Sequence, residues 1–102
     1  MASKLGILLT TSPENENTHT VIKISQAALS LGYEVHIFLM DDGVYNVHRE
    51  EFLALIGKGA EISLCAHNAD QRRVPRKEAI LWGSQDDLAS IVRQADRFLA
   101  FN

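Results

Sequence analysis

The stretch "ISLCAHNADQRR" (62–73) holds the only cysteine of the chain, Cys65, at the point where an apolar run gives way to polar residues. A cysteine in that position is either a small hydrophobe packed at a strand tip or a thiol that does chemistry. The thiolate is the nucleophilic form. A strand end that runs into a helix start favours it, through unpaired backbone N–H groups and the helix dipole. His67 and the pair Arg72-Arg73 add positive field, although the arginines fall nearer the far end of that helix. Within "AEISLC" the apolar Ile62 and Leu64 alternate with Glu61, Ser63 and Cys65, so the cysteine shares the less apolar face. The residues alone leave both readings open, because free cysteine is among the most buried residue types.

Other side chains narrow the chemistry further. Asp41-Asp42 would suit a phosphoacceptor pocket, but Cys65 stands where the acceptor aspartate would be needed, so a solvated, turn-forming pair is the better reading. His19, His48 and His67 match no compact ligand spacing, and no metal is expected. The segment "TTSPENENT" has no glycine with which to cradle a phosphate, and no cofactor is expected. His36 lies mid-strand and Trp82 at a strand end, positions that suit packing or a subunit contact. "QRRVPRK" places four cations within seven residues, either as a solvated loop or as a dock for an acidic partner.

The elements that must position these residues follow from hydrophobic periodicity. "KLGILLT" (4–10) is a near-continuous apolar run, as expected of a strand buried on both faces. Val21, Ile24, Ala28 and Leu31 recur at helical spacing, and Gly32 sits where a helix C-cap belongs. "YEVHIFLM" (33–40) is a second strand with Tyr33, Val35, Ile37 and Leu39 on one face. A loop, "DDGVYNVH", leads to "REEFLALIGKG", an amphipathic helix with Phe52, Leu53, Leu55 and Ile56 inward, closed by Gly57 or Gly59. "AEISLC" is the third strand, and "HNADQRRV" a short helix that must stop by Val74 because Pro75 follows. "AILWG" (79–83) reads as a brief fourth strand. Ser84, with Asp87 as capping-box partner, opens a helix whose buried stripe is Leu88, Ile91, Val92 and Ala95. "DRFLAF" is the fifth strand. Strands separated by helical segments imply parallel crossovers and a three-layer α/β/α sandwich with a five-stranded, mainly parallel sheet, in an order the pattern leaves open.

In such sheets ligands gather at the carboxyl ends of the strands. Three polar segments fall there: "TTSPENENTH", "DDGVYNVH" and "CAHNADQRR", the first a long ten-residue loop. The composition sets the frame. A chain of 102 residues, 46% hydrophobic and 23% charged, fits a single globular domain over 1–102. A net charge of -3 offers no global basic field for nucleic acid or an anionic membrane, and the apolar runs are too short to span a bilayer. The N-terminus reads as a first strand rather than a signal peptide. One cysteine cannot form an internal disulfide, which suits a reducing cytoplasm.

Three matches then coincide in the right order. "DDGVYNV", "EISLCAHNADQRRV" with its strand-terminal cysteine and basic pair, and "DDLASIVRQADRFLAF" together resemble the DsrE/DsrF-like family, including its TusD-like sulfur-relay proteins. One departure is Val74, where members often have glycine. The resemblance implies a three-layer fold, homo- or hetero-oligomers (often trimers or hexamers), and handling of sulfane sulfur. It maps the active cysteine onto Cys65, which would accept sulfur as a persulfide from a donor protein and pass it to an acceptor. A lone cysteine suits such a carrier, since a second nearby thiol would discharge the persulfide as a disulfide. His67 or Asn68 would stabilise the anionic persulfide, with Gly43, Tyr45, Thr11 and His19 as supporting or pocket residues. The competing expectation is a non-catalytic module of the same fold that binds a small ligand or a partner, with Cys65 structural.

Overall fold

The computed structural model describes residues 3–102. The chain alternates β1 (Lys4–Leu9), α1 (Glu16–Ser30), β2 (Glu34–Leu39), a 3-10 helix (Asp41–His48), α2 (Glu50–Gly57), β3 (Glu61–Cys65), α3 (Ala66–Gln71), β4 (Leu81–Gly83), α4 (Gln85–Gln94) and β5 (Arg97–Phe101). The five strands form one sheet in the order β4-β3-β2-β1-β5, and every pairing is parallel. Each parallel neighbour needs a crossover, and α1 to α4 supply them. The expected α/β class and layering therefore stand.

The two faces of the sheet are covered unequally. On one face Leu5, Ile7, Leu9, Val35, Ile37, Leu39, Ile62 and Leu64 join Val21 and Ile22 of α1, Phe52 and Leu55 of α2, and Ala69 of α3 in the main core. A fully buried Leu or Ile contributes roughly 1.5–3 kcal/mol, so this cluster dominates folding. On the other face a smaller cluster of Phe38, Cys65 and Ile91 packs with Leu8, Met40, Leu88 and Phe98. Among the described residues, α4 is the one helix on that side. It lies close to β1 because Gly6 has no side chain: a Cβ there would stand 2.9 Å from Ile91 Cγ2 and 3.0 Å from Phe98 Cδ1.

Several sequence expectations need correction. The helix after β1 begins at Glu16 rather than near His19, with Asn15 as N-cap accepting from the Asn17 N–H. The preceding loop is therefore shorter than ten residues, because "ENTH" is already helical. Leu31 lies outside the buried stripe of α1 at 73% exposure; it is the C-cap residue, and Gly32 takes the left-handed conformation (φ 86°) after it. Val92 is likewise exposed, on a side of α4 that the sheet does not reach. Tyr33 precedes β2 and is also exposed. The segment 41–48, expected as a loop, winds into a 3-10 helix with Gly43, Val44, Asn46 and Val47 turned inward. Gly59 rather than Gly57 has the positive φ that ends the turn after α2.

Candidate functional site

Cys65 is the last residue of β3 and the N-cap of α3, with φ -76° and ψ 110°. The junction follows from the sequence: "EISLC" supplies alternating strand residues, and "AHNADQ" then allows one and a half turns of helix. The left-handed Arg73 (φ 56°) ends it, and the Val74 N–H bonds back to Ala69 O at 2.9 Å. Val74 itself is buried in the main core, so the chain reversal falls one residue earlier than the position where glycine was expected.

The topology places this cysteine where the chain connections change faces. The chain leaves β3 into α3, which packs on the main-core face through Ala69, whereas it leaves β4 into α4 on the opposite face. Neighbouring strands whose connections turn to opposite faces mark the switch point where open α/β sheets bind ligands. Here those strands end at Cys65 and Gly83, which are paired across the ladder.

Cys65 is 7% exposed and faces the α4 side, in the small buried cluster with Phe38 and Ile91 against which Met40 and Leu88 pack. Gln85 Nε2 lies 3.7 Å from Met40 Sδ. The first turn of α4 lies against Gly83, the ladder partner of Cys65. It is held by the expected capping box: the Ser84 hydroxyl accepts from the Asp86 N–H at 3.2 Å, and the Ser84 N–H donates to Asp87 Oδ2 at 2.8 Å. Gly83 leaves space for that carboxylate, which a Cβ would overlap.

The other candidate residues separate into two groups. His67 is exposed on α3, beside the cysteine in sequence. Asn68 turns its carbonyl to Asp41, accepting from that residue's backbone N–H at 2.8 Å and so holding a left-handed backbone (φ 53°). Arg72 also braces this join, donating to Asp42 Oδ1 at 2.9 Å and to Asn68 O at 3.3 Å. One member of the basic pair is therefore a clamp between α3 and the 3-10 helix. Gly43 is buried, and a Cβ there would strike the Leu9 carbonyl. Tyr45 packs against the main core, away from the cluster that holds the thiol. Thr11 accepts at Oγ1 from Asn17 Nδ2 at 3.2 Å, and His19 is exposed on α1. The structure brings His67 and Asn68 to the cysteine's own helix and leaves Tyr45, Thr11 and His19 on elements away from it. Among the described residues, no group of three or more His, Cys, Asp or Glu side chains is placed to hold a metal ion.

Sequence reasoning missed Asn46. It is fully buried and fully used: Oδ1 accepts from Thr18 Oγ1 at 2.6 Å, and Nδ2 donates to Thr11 O at 3.0 Å and Gly43 O at 2.9 Å. This amide joins the loop after β1, the start of α1 and the 3-10 helix. The available signal was the spacing of Gly43-Val44 and Asn46-Val47, which recurs every three residues as a 3-10 face requires.

The whole chain has close counterparts. An uncharacterized protein of Methanocaldococcus jannaschii, MJ0989, is 25% identical over 114 residues, covering 96% of this chain and 99% of that one. The crystal structure of the ychN protein from E. coli superposes with a TM-score of 0.83 at 19% identity, covering 99% of this chain and 100% of that one. The structure of BT1422 from Bacteroides thetaiotaomicron, a conserved protein of unknown function, gives a TM-score of 0.78 at 18% identity, covering 97% and 95%. Both structures share the fold. The model of the DsrE/DsrF-like family matches residues 3–101, and the chain belongs to that family.

Proposed function

We propose that this protein carries sulfane sulfur as a persulfide on Cys65 and passes it to a partner protein. The observation that supports this most is the place of the chain's single cysteine at the end of β3, at the switch point between β3 and β4, in a family with sulfur-relay members. The Cys65 thiolate attacks the outer sulfur of a donor persulfide. A new S–S bond forms at Cys65, the donor's inner thiolate leaves, and no net oxidation occurs. An acceptor thiolate then repeats the step and regenerates Cys65. Assembly into homo-oligomers or with related subunits belongs to the same proposal.

The test is intact mass after incubation with a persulfide donor. A gain of one sulfur atom, removed by reductant and absent in Cys65→Ser, is the expected result; no gain from any donor would overturn the reading. A second reading draws on the burial of Cys65 among Phe38, Ile91 and Met40: a binding module in which the thiol only packs. Thiol labelling separates the two, since a purely packed cysteine reacts only in denaturant.

A further inference from the structure

The outer edge of the sheet at β4 lies one strand from Cys65 and is not used by the thiol chemistry. Among the described residues β4 pairs only with β3, so the backbone groups along its other side are free to receive an added strand. Leu81 on this edge is 55% exposed. Just before it, "RRVPRK" carries Arg73, Arg76 and Lys77. None of the three has an ion-pair partner among the described residues, whereas Arg72 is taken by Asp42. Arg76 lies over the Trp82 ring at 5.7 Å, and among the described residues the buried Trp82 Nε1–H has no acceptor. Arg76, Lys77, Glu78, Ala79, Ile80, Leu81 and Trp82 line one concave surface.

We infer that β4 receives an extended, acidic segment of a protein partner as a sixth strand. Charge decides the class: Arg73, Arg76 and Lys77, against Glu78 alone, make this stretch net positive, which favours carboxylates and disfavours a basic strand. Charge also sets the polarity along the edge. The carboxylates belong opposite Arg76 and Lys77. Small or apolar residues belong opposite Leu81 and Gly83, because Asp86 and Asp87 follow at the next turn and would repel acid. The ladder pairing of Gly83 with Cys65 then leaves the bound segment ending one strand from the thiol, so the segment suits a sulfur acceptor. That last step rests on the persulfide reading, whereas the binding itself does not.

Trp82 is the only tryptophan, which makes its emission a direct reporter of the edge. The probe is a twelve-residue peptide with two glutamates followed by alternating valine and threonine, titrated into the full chain. A saturable change in emission is expected, weakened at least tenfold in Arg76→Glu/Lys77→Glu, retained in Arg93→Glu, and retained in Cys65→Ser. No saturable change overturns the inference. An equal response to the same peptide with lysines in place of the glutamates, or unaltered binding by the Arg76→Glu/Lys77→Glu protein, also overturns it. Emission that changes with protein concentration alone and blocks the peptide would assign the edge to a second copy instead. Because Cys65→Ser is included, failure of the edge to bind leaves the persulfide assay standing, and the reverse.

Discussion

Asn46, fully buried, and His36, half-buried, show how single polar groups inside the fold can be tested. Removing the Asn46 amide leaves the Thr18 hydroxyl and the Thr11 and Gly43 carbonyls without their shared partner. A buried group left unsatisfied costs about 1–3 kcal/mol, so Asn46→Ala should lower stability in chemical denaturation by at least about 2 kcal/mol. An unchanged midpoint would mean that the amide is not the joint between these segments. His36 makes a different prediction. Its Nε2 lies 2.7 Å from Ser63 Oγ and its Nδ1 3.4 Å from Glu61 Oε2. A neutral ring with its proton on Nδ1 satisfies both, accepting from the Ser63 hydroxyl. Burial lowers the His36 pKa from 6.5, while the carboxylates of Glu61 and Asp87 oppose the shift. The neutral form is therefore favoured in the folded state. Its contribution is present above about pH 6.5 and is lost as pH falls below that value through the lowered folded-state pKa. His36→Gln should flatten the pH dependence of stability in that window; an unaltered profile would exclude His36 as its source.

At the scale of elements, the α4 cap is the part of the fold that bears most directly on reactivity. The Ser84 hydroxyl and the Asp87 carboxylate hold the turn that carries Gln85, in contact with Met40, and Leu88, packed against the cluster that includes Cys65. Ser84→Ala should cost about 0.5–2 kcal/mol and, by fraying that turn, speed alkylation of Cys65 in the native protein. An unchanged labelling rate would show that access comes from elsewhere. This capping box was legible in the sequence because it depends on neighbours three residues apart. The strands were legible for the same reason: "KLGILL" and "EISLC" carry their burial in local pattern. The 3-10 helix was not, since its winding depends on Asn46 reaching Thr18 and Thr11, and on Asn68 and Arg72 holding Asp41 and Asp42. The role of Arg72 as a clamp was hidden likewise. A basic pair reads as free charge until the fold supplies an aspartate.

At the scale of the whole molecule, the unequal cover of the sheet has a consequence for assembly. One face holds the main core under α1, α2 and α3; among the described residues, the other has only the ten residues of α4. Beyond the last turn of α4 a cavity of about 230 Å³ opens over the amino ends of β1, β2 and β3, lined by Gly6, His36, Glu61, Ile91 and Gln94. Val92 stands exposed on the outer side of the same helix. The assembly proposed above would place another subunit against this half-covered face and Val92. Gel filtration at micromolar concentration should give a multimer, and Val92→Asp should shift it to smaller species while leaving the circular dichroism of the fold intact. Elution of the unaltered chain as a clean monomer would contradict the assembly. A multimer unaffected by Val92→Asp would place its interface away from α4. Because Leu88 and Ile91 of α4 pack in the cluster that includes Cys65, an interface on the outer side of α4 would stiffen the helix on the face of the thiol. The dissociated Val92→Asp protein should then label faster at Cys65 than the multimer does.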